Sequence, residues 1–259
     1  MRSDFVRVGL IGFGNVGSHL ARALALHHDI RLTVYQRHSN VREFAELNIN
    51  FTSDWSRLDD SEIILVAVKD EAIEEVLAAL KAHITSDPIV AHCAGSVSSE
   101  VIRPYFHRYG VLYPLQTFSR DKKLDYKSIP IFITAGDQIA AERLGEVAAY
   151  ISPVIQQIND DQRMALHIAG VFSCNYTNAF YTIAHQICSD HDIPFAHLMP
   201  LIEETASKIR ELAPQEAQTG PAIRGDFETV RKHEQYLSVY NPELEEIYRI
   251  IAQFIHDKK

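Results

Sequence analysis

Hydrophobic positions in the N-terminal part of the chain follow two alternating periods. Phe5-Val6-Arg7-Val8 is a short, mostly apolar, β-branched run that predicts a strand. Ser18-His19-Leu20-Ala21-Arg22-Ala23-Leu24-Ala25-Leu26 continues as a helix. Arg31-Leu32-Thr33-Val34-Tyr35 predicts a second strand. Ser61-Glu62-Ile63-Ile64-Leu65-Val66-Ala67-Val68 is nearly continuously apolar, as a strand buried on both faces of a parallel sheet should be. Ile73, Val76, Leu77 and Leu80 then form one stripe of an amphipathic helix. Further strands are predicted over Pro88-Ile89-Val90-Ala91-His92-Cys93, Val111-Leu112-Tyr113-Pro114 and Pro130-Ile131-Phe132-Ile133-Thr134. Such alternation favours right-handed crossovers, so the expected fold is an α/β Rossmann-type doubly wound sheet.

From Asn159 onward only the helical period remains. Asn159 or Asp160 can cap a helix running toward Ser189, about 30 residues or ~45 Å, with Met164, Ile168, Phe172, Ala179, Ile183 and Ile187 as its apolar stripe. Other helices are predicted near 195–212, from Asp226 to about Tyr240, and from Asn241-Pro242, a cap followed by proline at the first helical position. The last carries Leu244, Ile247, Ile251, Phe254 and Ile255. The change of period divides the chain into 1–157, the α/β domain, and 158–259, an all-α domain expected to serve substrate binding and dimerisation.

The turn after the first strand carries the strongest chemical signal. Gly12-Phe13-Gly14-Asn15-Val16-Gly17 is G-x-G-x-x-G set between a strand and a helix, the context in which it cradles a dinucleotide pyrophosphate. Gly12 allows the tight turn, Gly14 lets the phosphates approach the backbone, and Gly17 lets the helix pack closely. The second strand ends in Gln36-Arg37-His38-Ser39-Asn40 without the acidic residue that accepts from a ribose 2′-hydroxyl. Arg37 offers a planar fork for a 2′-phosphate, so the cofactor expected is NADP(H) rather than NAD(H). Ligands bind beyond the carboxyl ends of such strands, which places Val68, Lys69 and Cys93 at the cofactor cleft, together with Pro114-Leu115-Gln116-Thr117.

Composition narrows the alternatives. The 259 residues are 46% hydrophobic, enough for one large or two modest domains. A net charge of −9 argues against nucleic acid or an anionic membrane as the main partner. Cys93, Cys174 and Cys188 have no C-x-x-C spacing and the 13 histidines form no H-E-x-x-H, so no metal site is expected. No apolar run approaches the ~20 residues of a membrane span, and the glycine turn lies where a signal peptide would be apolar. The expected location is the cytoplasm.

Gly12 through Gly17, His92-Cys93-Ala94-Gly95, Tyr113-Pro114-Leu115-Gln116-Thr117-Phe118, the segment His167 through Asn175, and above all Thr219-Gly220-Pro221-Ala222-Ile223-Arg224-Gly225-Asp226 give the whole chain a family resemblance. It resembles the NADP oxidoreductases that join a Rossmann-like domain to an all-helical domain of unknown function. That group is similar to pyrroline-5-carboxylate reductases, ketopantoate reductases and β-hydroxyacid dehydrogenases. The resemblance implies hydride transfer to or from a small carbonyl or imine compound, and a homodimer. In several related dehydrogenases a lysine four residues before an asparagine does the catalytic work. Here Val171 stands four before Asn175, so the chain departs from that pattern.

His167, Val171, Cys174, Asn178, Tyr181 and His185 share one helical seam, with Asn175 on the adjacent strip. His167 is the candidate acid, since imidazole gains and loses its proton near neutral pH. Asn175 is the candidate to hold the substrate's oxygen or nitrogen, and Arg224 the candidate clamp for a substrate carboxylate. A structural polar network or a dimer seam would use the same helix residues, and an Arg224–Asp226 latch the same arginine. The active site is expected between the domains. A non-catalytic NADP(H)-binding sensor is the opposing reading, and convergence of polar groups on one pocket discriminates the two.

Overall fold

The computed structural model describes residues 5–37, 47–120 and 122–258. The strands are β1 (Val6–Ile11), β2 (Ile30–Tyr35), β3 (Ile49–Thr52), β4 (Ile63–Val66), β5 (Ile89–His92), β6 (Tyr109–Pro114), β7 (Ile131–Ala135) and β8 (Ile155–Gln157). They form one sheet in the order β3-β2-β1-β4-β5-β6-β7-β8. The strand order reverses at β1, which pairs with β2 on one side and β4 on the other. A crevice therefore opens beyond the carboxyl ends of β1 and β4, where open α/β sheets bind ligands.

Both faces of the sheet are covered. On one side α1 (Asn15–Ala25) and α3 (Gln138–Ala149) bring Leu20, Leu24, Leu144 and Val147 onto Val8, Leu10, Leu32 and Leu65. On the other, α2 (Ile73–His83) brings Val76, Leu77 and Leu80 onto Ile64, Val66 and Val90. This explains why β4 reads as an unbroken apolar run: all four of its residues are buried. Every neighbouring pair is parallel except β6 and β7. Among the described residues, the connection 115–130 holds no α-helix, only a 3-10 turn at Tyr126–Ser128. Without a crossover helix, β7 returns beside β6 in the antiparallel sense.

The helical half begins with α4 (Asp160–Gly170). Asn159 caps it in a capping box: its side chain accepts from the Gln162 N–H at 2.8 Å, and the Gln162 side chain accepts from the Asn159 N–H at 3.0 Å. Asp160 and Asp161 add negative charge to the first turn. The helix continues through a π-helical segment, Val171–Tyr176, into α5 (Thr177–Asp190). Next come α6 (Met199–Lys208), α7 (Pro214–Ala217), α8 (Pro221–Arg224), α9 (Phe227–Tyr240) and α10 (Pro242–Asp257). Asp226 caps α9 and Asn241 caps α10. The helix expected over 195–212 is shorter than that, because Phe195–Leu198 is a 3-10 turn and α6 ends at Lys208.

Contacts group the chain into two units, Met1–Ala179 and Phe180–Lys259, and this division falls within α5. α4 belongs to the first unit because Arg163 and His167 bond to the sheet and its loops. In the second unit, Ile183 and Ile187 of α5 with Leu244, Ile247, Ile251 and Ile255 of α10 line an apolar cavity of about 310 Å³. The stripe predicted on the long helix divides in two. Ile183 and Ile187 line that cavity, whereas Met164, Ile168 and Phe172 are exposed, Phe172 at 63%. Among the described residues no helix is long and apolar enough to cross a membrane.

Candidate active site

The glycine turn joins β1 to α1. Gly12 has a φ of 96°, and a Cβ there would collide with the Ala67 carbonyl at the end of β4, so only glycine fits. A Cβ at Gly17 would strike the Gly12 carbonyl, which is how α1 comes so close to the turn. Gly14 differs: a Cβ there would meet nothing within 4 Å. It is the N-cap of α1 without a side-chain cap, and the first turn of α1 contains no acid. The leading amide N–H groups and the positive end of the helix dipole thus face an open space that suits a phosphate. Phe13 packs edge-to-face on Phe51 at 5.1 Å, while Asn15 is exposed and Val16 half-buried at the start of α1.

At the end of β2, the Gln36 side-chain amide nitrogen is buried with no partner among the described residues. Beside it, exposed Arg37 donates to Glu75 of α2 at 3.2 Å. An orphaned amide donor next to a guanidinium fits the oxygens of a ribose and its 2′-phosphate. His38 and Ser39, expected to take part, lie outside the described residues. Val68 packs where Gly12 turns. Lys69 is exposed and reaches only Glu71, at 3.9 Å. Cys93 turns its thiol into the core, where burial pushes it up to about 12, so it stays protonated.

A cleft of about 430 Å³ lies where β6 ends, between the loop 115–118 and the long helix. His167, Gly170, Val171, Ser173, Cys174 and Asn175 form its helical wall, and Tyr113, Gln116, Thr117 and Phe118 are on the opposite side. The π-helical segment assembles that wall. Its wider turn sets successive side chains at smaller angles, so Ser173, Cys174 and Asn175 reach one cleft. Thr177 stabilises the turn by donating to the carbonyl of Phe172 at 3.0 Å. The loop is pinned to α1, since His19 bonds the Ser119 carbonyl at 2.9 Å and packs on Phe118.

Tyr113 and His167 meet inside the cleft. The phenol oxygen and Nδ1 of the imidazole are 2.9 Å apart, with the rings edge-to-face. If the phenol donates to Nδ1, the Nε2–H remains free to donate. If Nδ1–H donates to the phenol oxygen, the phenol O–H remains free. Burial pushes the Tyr113 phenol above its ordinary value, partly opposed by the positive charge of Arg163. His167 also leans on Gly95 beyond the end of β5: a Cβ there would overlap Nδ1 and lie 2.7 Å from Cγ.

A buried polar network supports this contact. Arg163, 1% exposed, donates from Nε to the Gly95 carbonyl at 3.3 Å, and from Nη1 to Thr134 Oγ1 at 2.8 Å and Asp160 Oδ1 at 2.7 Å. Its Nη2 donates to the Val97 carbonyl. Asp160 also accepts from the Ser98 hydroxyl at 2.6 Å and the Ser99 N–H at 2.9 Å. Burial works against the Asp160 charge, but Ser98, Arg163 and the Ser99 amide outweigh it and hold the carboxyl below its usual range. His92 is fully buried. Its Nδ1 accepts from the Ala94 N–H, which leaves Nε2–H to donate to the Ser98 carbonyl, each at 3.2 Å. Desolvation lowers it to about 4, so it is neutral at neutral pH.

His167 and Asn175, both expected from sequence, therefore share a cleft in the first unit. Arg224 ends α8 in the second unit with its guanidinium exposed, and Asp226 caps α9 through the N–H and hydroxyl of Thr229 instead of latching the arginine. Tyr113 and Arg163 were missed. Tyr113 read as a strand residue and as part of a resemblance motif but not as a site residue, although its place at the carboxyl end of β6 was a usable sign. Nothing in the sequence marks Arg163 as buried.

Residues 7–95 match the family model "NADP oxidoreductase coenzyme F420-dependent" and residues 129–255 match "Domain of unknown function (DUF2520)". No curated protein gives a significant match. Among solved structures, a putative NADP oxidoreductase from Bacteroides fragilis is 34% identical, with 98% of this chain and 99% of that chain covered and a TM-score of 0.87. A protein from Thermotoga maritima (19% identity, 97% of each chain, TM-score 0.74) shares the fold. So does the pyrroline carboxylate reductase of Plasmodium falciparum, solved with NADP bound (14% identity, 97% of this chain and 98% of that chain, TM-score 0.61). With one-third identity to the Bacteroides protein across nearly the full length of both, this chain belongs to the family of NADP oxidoreductases that carry the DUF2520 domain.

Proposed function

We propose that the chain is an NADP(H)-dependent reductase of a small carbonyl or imine compound, with the Tyr113–His167 pair as its proton donor. The observation that carries this reading is the hydrogen bond between the two inside a cleft at the carboxyl end of β6. Polar groups converge there, which favours a catalytic protein over a sensor. The cleft is three strands from β1, ~14 Å at the usual strand spacing.

The residues fit the cofactor. Gly12 to Gly17 and the first turn of α1 would hold the pyrophosphate, Gln36 the adenosine ribose, and Arg37 the 2′-phosphate after leaving Glu75. NADPH, when bound, supplies a hydride to the carbon of the C=O or C=N bond. The π electrons of that bond move to its oxygen or nitrogen, and the Tyr113–His167 pair delivers the proton that atom needs. The pair then regains a proton from solvent. Asn175 donates a hydrogen bond to the same atom, and the neutral cleft lining suits an uncharged reacting end. The exposed Arg224 is the proposed partner of a carboxylate elsewhere on the substrate. The uncovered stripe of Met164, Ile168 and Phe172 supports a homodimer, the assembly that would bury it. The composition supports a cytoplasmic site of action.

The test is a panel of carbonyl, imine and hydroxyacid compounds with NADPH or NADP, followed by absorbance of the reduced cofactor. Turnover of one class, lowered on the order of 10²–10⁴-fold in His167→Gln with NADPH binding retained, is the expected result. Tight NADPH binding with no turnover across the panel would return the sensor reading to the front.

A further inference from the structure

Arg163 is the largest side chain buried at under 2% exposure. Two of its acceptors are carbonyls of one loop, Gly95 and Val97, and His167 rests on that same loop. Arg163 and His167 are one turn apart on α4, so they project along the same helix face. The guanidinium grips the loop while the imidazole lies against Gly95, where no side chain has room. Thr134 on β7 fixes the guanidinium from the sheet side, and Asp160 balances its charge. A tie between helix and sheet does not need a buried cation, because apolar packing makes such ties with no charge to desolvate. A guanidinium has the geometry to fix several carbonyls at set angles.

We infer that Arg163 is the positioning residue of the Tyr113–His167 pair: through the backbone of Gly95 it sets the imidazole at hydrogen-bonding distance from the phenol. The inference rests on the pair being the proton donor, and it adds the device that aligns it. The charged and titratable groups around the device are Asp160, which pairs with Arg163, and His92, which is neutral. The charge of Arg163 also reaches Tyr113, where it opposes the effect of burial.

The test uses the full chain with ¹³C-labelled histidine, the His167 ring signal being the one lost in His167→Gln. Tyr113→Phe should displace that signal at a fixed pH, because the ring loses its hydrogen-bond partner and the edge-to-face phenol. Arg163→Lys retains the charge but cannot span the four acceptors, and it should displace the signal in the same direction. Thr134→Val, which removes one anchor of the guanidinium without touching His167, should give a smaller shift of the same sign. This variant keeps the test open if Arg163→Lys fails to fold. Gly95→Ala pushes the ring directly, and adding Tyr113→Phe to it should give no further shift, as expected of changes that break one contact. NADPH affinity should stay within about threefold throughout. With a substrate from the panel, kcat of Arg163→Lys should fall on the order of 10²-fold while KM for NADPH holds. An unchanged His167 ring signal in Thr134→Val and in Arg163→Lys, with only thermal stability lowered, overturns the inference. If the ring signals move as expected but Tyr113→Phe and His167→Gln turn over normally, the positioning stands and the proton-donor reading falls.

Discussion

Substituting His92 by glutamine should flatten the acid side of the protein's stability curve. His92 is buried neutral, and desolvation lowers it to about 4 from its ordinary 6.5. The unfolded chain therefore binds a proton near pH 6.5 that the native state refuses until about pH 4. Stability from this residue is complete above pH 6.5, falls as the pH drops through the window, and falls no further below about 4. At 1.36 kcal/mol per unit the whole window is worth about 3 kcal/mol, of which about 2 kcal/mol is lost by pH 5. Glutamine does not titrate. It can still donate to the Ser98 carbonyl but leaves the Ala94 N–H without its acceptor, a loss of about 1–2 kcal/mol at pH 7. The variant should start below the wild type at pH 7 and draw level or pass it by pH 5. Urea unfolding followed by tryptophan fluorescence reads this directly. The chain's single tryptophan, Trp55, stacks on Tyr35 at 3.8 Å and packs on the core cluster that contains Val90 and Ala94, on either side of His92. Carboxylates held low, such as Asp59 at about 2, act at lower pH and in both proteins alike. Wild-type and variant midpoints running parallel from pH 7 to pH 5 would refute the reasoning.

Other outcomes follow from the nucleotide half and the cleft. NADPH should bind more tightly than NADH, and Arg37→Ala should reduce that preference by roughly 1.5–3 kcal/mol, the range for a hydrogen bond to a charged group. Glu75→Gln, which frees Arg37, should tighten NADPH alone; equal affinities of the wild type for both cofactors by calorimetry contradict the assignment. Gly12→Ala should weaken NADPH binding by roughly 5- to 150-fold, since a side chain at that φ and against the Ala67 carbonyl is a strain of about 1–3 kcal/mol. Alkylation at pH 8 followed by mass spectrometry should label the partly exposed Cys174 before the buried Cys93. A reversed order would mean that Cys93 is not held in the core. Light scattering at micromolar concentration should give twice the chain mass, and a monomer would leave the apolar stripe on α4 without its proposed cover.

The nucleotide half was legible because local chemistry writes it. Gly12 answers to a positive φ and Gly17 to the Gly12 carbonyl within the same turn, Gly14 keeps the head of α1 open, and the apolar run of β4 answers to burial on both faces. Caps at Asn159, Asp226 and Asn241 likewise depend on hydrogen bonds only two or three residues long, so the helix starts were readable. The antiparallel β7 was harder, because its sense depends on what the connection 115–130 lacks rather than on the strand itself. The π-helical segment was also hidden. Apolar spacing places residues on a uniform helix, and a locally wide turn changes which of Ser173, Cys174 and Asn175 can share a wall.

The proton half was only partly legible, for a physical reason. His167 stood out as a titratable residue on the polar seam of the long helix, but its role is set by contacts remote in sequence. Tyr113 lies 54 residues from His167, and Gly95 lies 68 residues from Arg163. Each of these three residues has an ordinary alternative: a strand tyrosine, a loop glycine, a helix-surface arginine. Hydrophobic periodicity could not find Arg163, because a charged residue in the first turns of an amphipathic helix is expected to face water. Its burial becomes intelligible only when four acceptors from a loop, a strand and its own helix converge on it. A site that holds a cofactor by backbone can be read from a motif. A site that aligns a proton through side chains from β6, the loop after β5 and α4 has to be read from the fold.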